Sequence, residues 1–359
     1  MKLNLMHLAR KNIKSLIPYQ SARKIGGQGD IWLNANESPI SEEFVLRKTN
    51  FNRYPECQPK SLITRYSDYI KIPEDNILVT RGADEGIELL MRAFCEPRED
   101  AIIYCPPTYD MYSVNADILG IKSHSIPMLK NWQLDVASIK KKSSRVKLIY
   151  ICSPNNPTGN IINFKDIKRI LHIFFDTALV VIDEAYIEFC AKNSIVSWLK
   201  YYPNLVILRT LSKAFSLAGL RCGFLLANAE IIRILSKVIA PYPLPTPVSD
   251  IAYQALSKKN IDIIRNRVSE LNANRLWLTK KLKTLKCVKK VFHSRSNYIL
   301  VRFIDSKNIF HLLWEQGIIL RNQNHKIYLN ECIRISIGTF SECFTLINRL
   351  KLFIQNNKG

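Results

Sequence analysis

Between residues 75 and 230 short apolar runs alternate with stretches of helical period, and this alternation limits the possible folds more than any other feature of the chain. The runs fall at 77–80, 147–152, 178–183, 205–210 and 223–227. Several are almost wholly apolar, as strands buried on both faces of a parallel sheet must be. Strands alternating with helices predict an α/β domain built on a mainly parallel sheet. Each run ends in polar or Gly-rich sequence, and open α/β sheets bind ligands at the carboxyl ends of their strands. The chemistry is to be sought there.

Segment 240–247 carries four prolines in eight positions and reads as a rigid connector, neither helix nor central strand. Beyond it come a polar helical stretch to about residue 285, strands at 298–303, 317–321 and 333–337, and a closing helix, which together suit a smaller α+β domain. The first 29 residues hold no acid and read as an amphipathic helical arm. A chain of 359 residues, 47% hydrophobic, can bury two cores. The expected division is a large domain over 30–255 and a small domain formed by 1–29 and 256–359.

Charge and cysteine content exclude several classes. Lys and Arg exceed Asp and Glu by 22, yet they are spread along the chain and form no stripe interleaved with aromatics, so a nucleic-acid partner is not expected. The run Lys140, Lys141, Lys142 is a solvated helix end or loop. The surplus reads as compositional drift towards Lys, Asn and Ile, with a modest gain for small anionic substrates through long-range steering. The nine cysteines form no Cys-x-x-Cys pair and the six histidines no ligand spacing, so neither a disulfide framework nor a metal site is expected. No window approaches the roughly 20 apolar residues that span a bilayer, and a cytoplasmic protein with no membrane partner is the expectation.

Four segments carry chemistry. The first, Thr210-Leu-Ser-Lys-Ala-Phe-Ser-Leu-Ala-Gly-Leu-Arg-Cys-Gly-Phe224, follows a strand. Apolar neighbours around Lys213 would favour its neutral amine, the form that attacks an aldehyde, while Thr210, Ser212 and Arg221 could clamp a phosphate. The second, Val180-Val-Ile-Asp183-Glu-Ala-Tyr186, is an apolar strand ending in an acid; Asp183 either caps a turn or holds a protonated ring nitrogen. The third, Ser153-Pro-Asn-Asn-Pro-Thr-Gly159, is a turn that could present Asn156 rigidly. In the fourth, Arg81-Gly-Ala-Asp-Glu-Gly86, the amides of Ala83 and Asp84 open a helix and offer a phosphate seat. The cluster Gly26-Gly27-Gln28-Gly29 follows no strand and is a turn.

In their order these segments resemble the fold-type I pyridoxal-phosphate-dependent transferases. Over nearly the whole chain the sequence resembles the histidinol-phosphate aminotransferase family, through Leu16-Ile-Pro-Tyr19, Leu33-Asn-Ala-Asn-Glu37, Asn52-Arg-Tyr-Pro55, Tyr104-Cys-Pro-Pro-Thr-Tyr109 and Ile333-Arg-Ile-Ser336. The resemblance implies that pyridoxal 5′-phosphate is carried on Lys213, with Asp183 at its pyridine nitrogen and Asn156 and Tyr186 at its ring oxygen. Tyr109 would stack on the ring. Thr210, Ser212, Arg221 and the amides of Ala83 and Asp84 would hold the cofactor phosphate, and Tyr54 would reach that phosphate in the partner subunit of a homodimer. Tyr19, Arg321 and Arg334 would bind the substrate phosphate. The implied reaction converts L-histidinol phosphate and 2-oxoglutarate into imidazole-acetol phosphate and glutamate in histidine biosynthesis. An aromatic aminotransferase or a threonine-phosphate decarboxylase would share every cofactor residue, and a basic nucleic-acid-binding protein on the same fold is a remoter alternative. Asp110 stands where relatives commonly have glycine, and Pro245 where they have a small polar residue. Asp110 is expected to bring an added negative charge beside the cofactor face, with either a weakened turn or slower turnover as the consequence.

Overall fold

A computed structural model describes residues 5–356. In chain order the strands are β1 (Ile31–Trp32), β2 (Ile77–Thr80), β3 (Ala101–Tyr104), β4 (Lys122–Ser125), β5 (Val146–Cys152), β6 (Leu179–Asp183), β7 (Leu205–Thr210), β8 (Gly223–Ala227), β9 (Val288–Val291), β10 (Tyr298–Phe303), β11 (Ile318–Ile319), β12 (Arg321–Asn322) and β13 (Cys332–Ser336). Seven of them form one sheet in the order β2-β8-β7-β6-β5-β3-β4. The pairs from β4 to β7 are parallel, and β8 runs antiparallel to both β7 and β2. β2 therefore points the same way as β7, so the carboxyl ends of β2, β3, β5, β6 and β7 share one edge.

The apolar runs are explained by burial on both faces. Along β7, Leu205 and Ile207 join one core while Val206 and Leu208 join the other; Val180, Ile182 and Val181 divide in the same way on β6. Each such side chain contributes about 1.5–3 kcal/mol on leaving water. Helices such as Gly82–Phe94 and Phe164–Ile173 cover the two faces with their apolar stripes.

A second, antiparallel sheet follows the order β12-β13-β10-β9, and β1 pairs in parallel with β11. It is flanked by the helices Lys258–Leu282, Ser306–Glu315 and Phe340–Asn356. The segment just after the N-terminal arm is thus hydrogen-bonded to the C-terminal part of the chain.

Four local expectations need correction. The arm is not one helix but three short pieces, Leu5–Leu8, Lys11–Lys14 and Ala22–Ile25, because a short helix without a packed face is marginal in water. It is tied down by side chains instead: Arg10 Nη2 and Asn12 Nδ2 donate to Leu119 O and Asp117 O, at 3.1 and 2.8 Å, at the end of the helix Met111–Leu119. The single strand over 317–321 is two, since the chain changes partner at Leu320, from β1 to β13. The proline segment is not helix-free throughout: the helix Thr246–Ala255 starts inside it with Pro247 in its first turn, where no amide hydrogen is needed. Strands β1, β3, β4 and β9 add to those expected, and the polar β4 is an edge strand that pairs with β3.

Gly223 fixes the spacing of β8 against the start of the helix Gly82–Phe94. A Cβ there would lie 2.5 Å from the Gly82 carbonyl carbon and 2.7 Å from Ala83 N. Backbone cannot step aside as a side chain does, so Gly223→Ala should cost about 1–3 kcal/mol. Urea unfolding measures this, and an unchanged midpoint would contradict the packing described.

Candidate active site

Every site residue expected from sequence, except Tyr54, lines one cavity at the carboxyl edge of the large sheet: Tyr19, Ala83, Asp84, Tyr109, Asn156, Asp183, Tyr186, Thr210, Ser212, Lys213, Arg221, Arg321 and Arg334. Tyr54 is 81% exposed, stacks on Tyr242 with ring centroids 4.5 Å apart, and lies outside that cavity.

Lys213 follows β7 by three residues and projects into the cavity, where its Nζ donates to Ala35 O at 3.0 Å. Burial, then the positive charge of Arg334, lowers its pKa from 10.5 to about 8. Asp183 ends β6, so an apolar strand delivers a carboxylate to the edge. Burial raises its pKa to about 6. Two donors oppose that rise: Tyr112 Oη at 2.7 Å from Oδ2 and the Ala185 amide at 3.0 Å from Oδ1. Both groups are therefore poised for proton chemistry near neutrality.

Tyr186 is the meeting point of three segments. Asn36 Nδ2 and Asn156 Nδ2 donate to its hydroxyl at 3.0 and 3.3 Å, and Asn156 Oδ1 accepts from Arg334 Nη1 at 2.6 Å. Tyr109 donates to Asp84 Oδ1 at 2.9 Å, which fixes its ring at the cavity wall.

One anion seat lies at the helix Gly82–Phe94. Its N-cap residue Arg81 makes no side-chain cap bond among the described residues, and Ala83 and Asp84 line the cavity, so the positive end of the helix dipole lies at its wall. Beside it Thr210 Oγ1 and Ser212 Oγ stand 2.9 Å apart, and Arg221, held in the left-handed region at φ 55°, places Nη1 3.4 Å from Ser212 Oγ and Nη2 3.2 Å from Asp84 Oδ2. A Cβ on Gly82 would come within 2.9 Å of Arg221 Nη2. These donors fit a phosphate.

A second seat is built from the small sheet. Arg321 and Arg334 are direct partners across β12 and β13, an arrangement of like charges that is unfavourable by itself. Their hydrogen bonds go to neutral oxygens: Arg321 to Gln20 O at 2.9 Å, Arg334 to Asn156 Oδ1 and Asn34 O at 2.6 Å each. Arg321 Nη1 and Arg334 Nε are buried without a partner among the described residues. A buried donor left unmatched costs about 1–3 kcal/mol, and an anion between the two guanidinium groups would satisfy both.

Sequence reasoning missed Tyr112, Asn34, Asn36 and Lys326. Tyr112 lies three residues beyond Tyr109, in the helix Met111–Leu119, but nothing local shows that it meets Asp183, 71 positions away. Asn34 and Asn36 were noted only within a motif. The added charge of Asp110 is compensated: Lys326 pairs with it.

Two anion seats on either side of a lysine with lowered proton affinity suit a cofactor and a substrate that are both anionic, the layout of a lysine-dependent transferase. The family described as aminotransferase class I and II matches residues 29–350, and the chain belongs to that family. It is 60% identical to the histidinol-phosphate aminotransferase of Buchnera aphidicola subsp. Schizaphis graminum, covering 99% of this chain and 100% of the relative. With the protein of the same name from Yersinia enterocolitica it is 59% identical, over 97% and 93% of the two chains. Among solved structures, histidinol-phosphate aminotransferase from Sinorhizobium meliloti in complex with pyridoxal-5′-phosphate superposes with a TM-score of 0.85 at 20% identity, covering 96% of this chain and 97% of that one.

The lowered pKa of Lys213 has a thermodynamic sign. Below about pH 8 folded and unfolded states both hold the proton and the folded state bears the whole cost of a buried charge; between about 8 and 10.5 only the unfolded state keeps it, so stability rises across that window. In cofactor-free protein, Lys213→Met should therefore raise stability at pH 7 by on the order of 2 kcal/mol, an advantage that shrinks towards pH 10.5. Thermal melts across pH measure the difference; a constant offset would contradict the burial argument.

Proposed function

We propose that this enzyme transfers the amino group of L-histidinol phosphate to 2-oxoglutarate, with pyridoxal 5′-phosphate carried on Lys213, and so serves histidine biosynthesis in the cytoplasm. The observation that carries the substrate assignment is the opposed pair Arg321 and Arg334, whose buried Nη1 and Nε lack partners among the described residues. Two guanidinium groups suit a phosphate dianion better than the single carboxylate of an aromatic amino acid. The relatives at about 60% identity carry the same functional name.

When bound, the cofactor supplies an aldehyde that exchanges amines and a ring that draws electrons from the bond being broken. Its phosphate is assigned to the Gly82–Phe94 helix end with Ser212, Thr210 and Arg221, and its ring to the gap between Tyr109 and the β6 end. Asp183 would keep the ring nitrogen protonated, and that cation would draw the carboxylate back towards ionisation. Tyr186 and Asn156 would donate to the ring oxygen. Freed when the substrate amine takes its place, the Lys213 amine, close to half neutral near pH 8, would carry the proton from the amine-bearing carbon of the substrate to the former aldehyde carbon, and would carry one the opposite way in the second half of the reaction. Tyr19, from the arm, closes the substrate side beside Arg321.

The active unit in this reading is a homodimer, in which the exposed Tyr54 reaches the cofactor phosphate of the other subunit. The division into a 30–255 cofactor domain and a small domain of 1–29 and 256–359 belongs to the same proposal.

Borohydride reduction of the yellow protein should leave a pyridoxyl group on the peptide containing Lys213, and a label on another lysine would overturn the assignment. In steady-state assays kcat/KM for histidinol phosphate should exceed that for phenylalanine and threonine phosphate. Arg321→Ala should raise KM for histidinol phosphate by roughly 10- to 100-fold with a smaller change in kcat, as expected for loss of a ground-state anion contact. Equal preference among the three donors would remove the substrate claim.

A further inference from the structure

The wall of the substrate seat holds a charged pair that transamination itself does not use. Asp110 precedes the helix Met111–Leu119 on the large-sheet side, and Lys326 lies in the turn between β12 and β13. Lys326 Nζ pairs with Asp110 Oδ1 and also donates to Thr108 O at 2.8 Å. The lysine side chain is 12% exposed and the aspartate 37%. Asp110 lines the main cavity and an adjoining one, each together with Tyr19 and Arg321. Asp110 thus shares the main cavity with both arginines, and Asp110, Arg321 and Arg334 all act on the Tyr19 phenol, the first opposing the other two. Lys326 is also close enough to Arg321 and Arg334 for both to disfavour its charged form.

An unpaired carboxylate at this place would repel a dianion, and an unpaired lysine would be a third cation beside two arginines. We propose that the Asp110–Lys326 pair sets the affinity of the Arg321–Arg334 seat for a phosphate-bearing substrate. Lys326 cancels the repulsion from Asp110, and Asp110 keeps Lys326 from over-strengthening the seat and retaining product. Both are specificity-determining residues, not catalytic ones. The inference rests on the substrate assignment above.

Opposite signs separate this role from a merely structural one. Inorganic phosphate is titrated calorimetrically into the cofactor-loaded protein, whose own phosphate seat is then filled, alongside KM for histidinol phosphate. Lys326→Met should weaken phosphate binding roughly tenfold, and Asp110→Asn should tighten it several-fold, the order expected for one charge a few ångströms from an anion in a part-buried site. The double variant should return to within about threefold of the parent, and KM should follow the same ranking. If both single variants shift binding the same way, the pair only braces the wall and the inference fails while the substrate assignment stands. If the parent neither binds phosphate nor turns over histidinol phosphate, both fail.

Discussion

A strand buried on both faces can place polar side chains only at its ends, and this constraint organises the whole molecule. Leu205 to Leu208 alternate between two cores, so the first side chains free to do chemistry on that strand's course are Thr210 and its successors. The same holds for β6, which delivers Asp183, and for β5, whose end opens into the Asn156 turn. Because these strands run parallel in one sheet, their ends coincide. The candidate site forms where those ends coincide.

Burial that creates the edge also sets its electrostatics. In a part-dry cavity a lysine loses proton affinity and a carboxylate gains it, which brings Lys213 and Asp183 to about 8 and about 6 from opposite directions. Specific donors then tune the result: Tyr112 pulls Asp183 down, and Arg334 pushes Lys213 down further. Arg334 also joins the two sheets, reaching Asn156 from one and Asn34 from the segment that pairs with the other. Arg334 thereby ties the Asn156 turn and the Asn34 segment to the small sheet. A buried network of Arg209 with Glu184 and Glu188 lies immediately beside the site and keeps the remaining charges on β7 satisfied.

Local pattern carried much of this. Runs of apolar residues marked β2 and β5 to β8 because burial on two faces leaves little choice of residue. Motif spacing marked Lys213, Asp183 and Asn156 because each sits within a few residues of a strand end, where sequence distance and spatial distance agree. The polar β4 was illegible, since an edge strand needs no apolar pattern, and the 317–321 run concealed a change of partner at Leu320 that only pairing reveals.

What the sequence by itself determined is the α/β class, the strand ends and the residue types they deliver, all of which follow from local periodicity and turn chemistry. Tertiary structure decided what meets what. Tyr112 on Asp183, Asn36 on Tyr186, Lys326 on Asp110 and Arg321 facing Arg334 join positions from 13 to 216 residues apart. A one-dimensional pattern cannot hold such pairings, because they are fixed by how two sheets and an arm pack, and packing is a property of the whole buried volume.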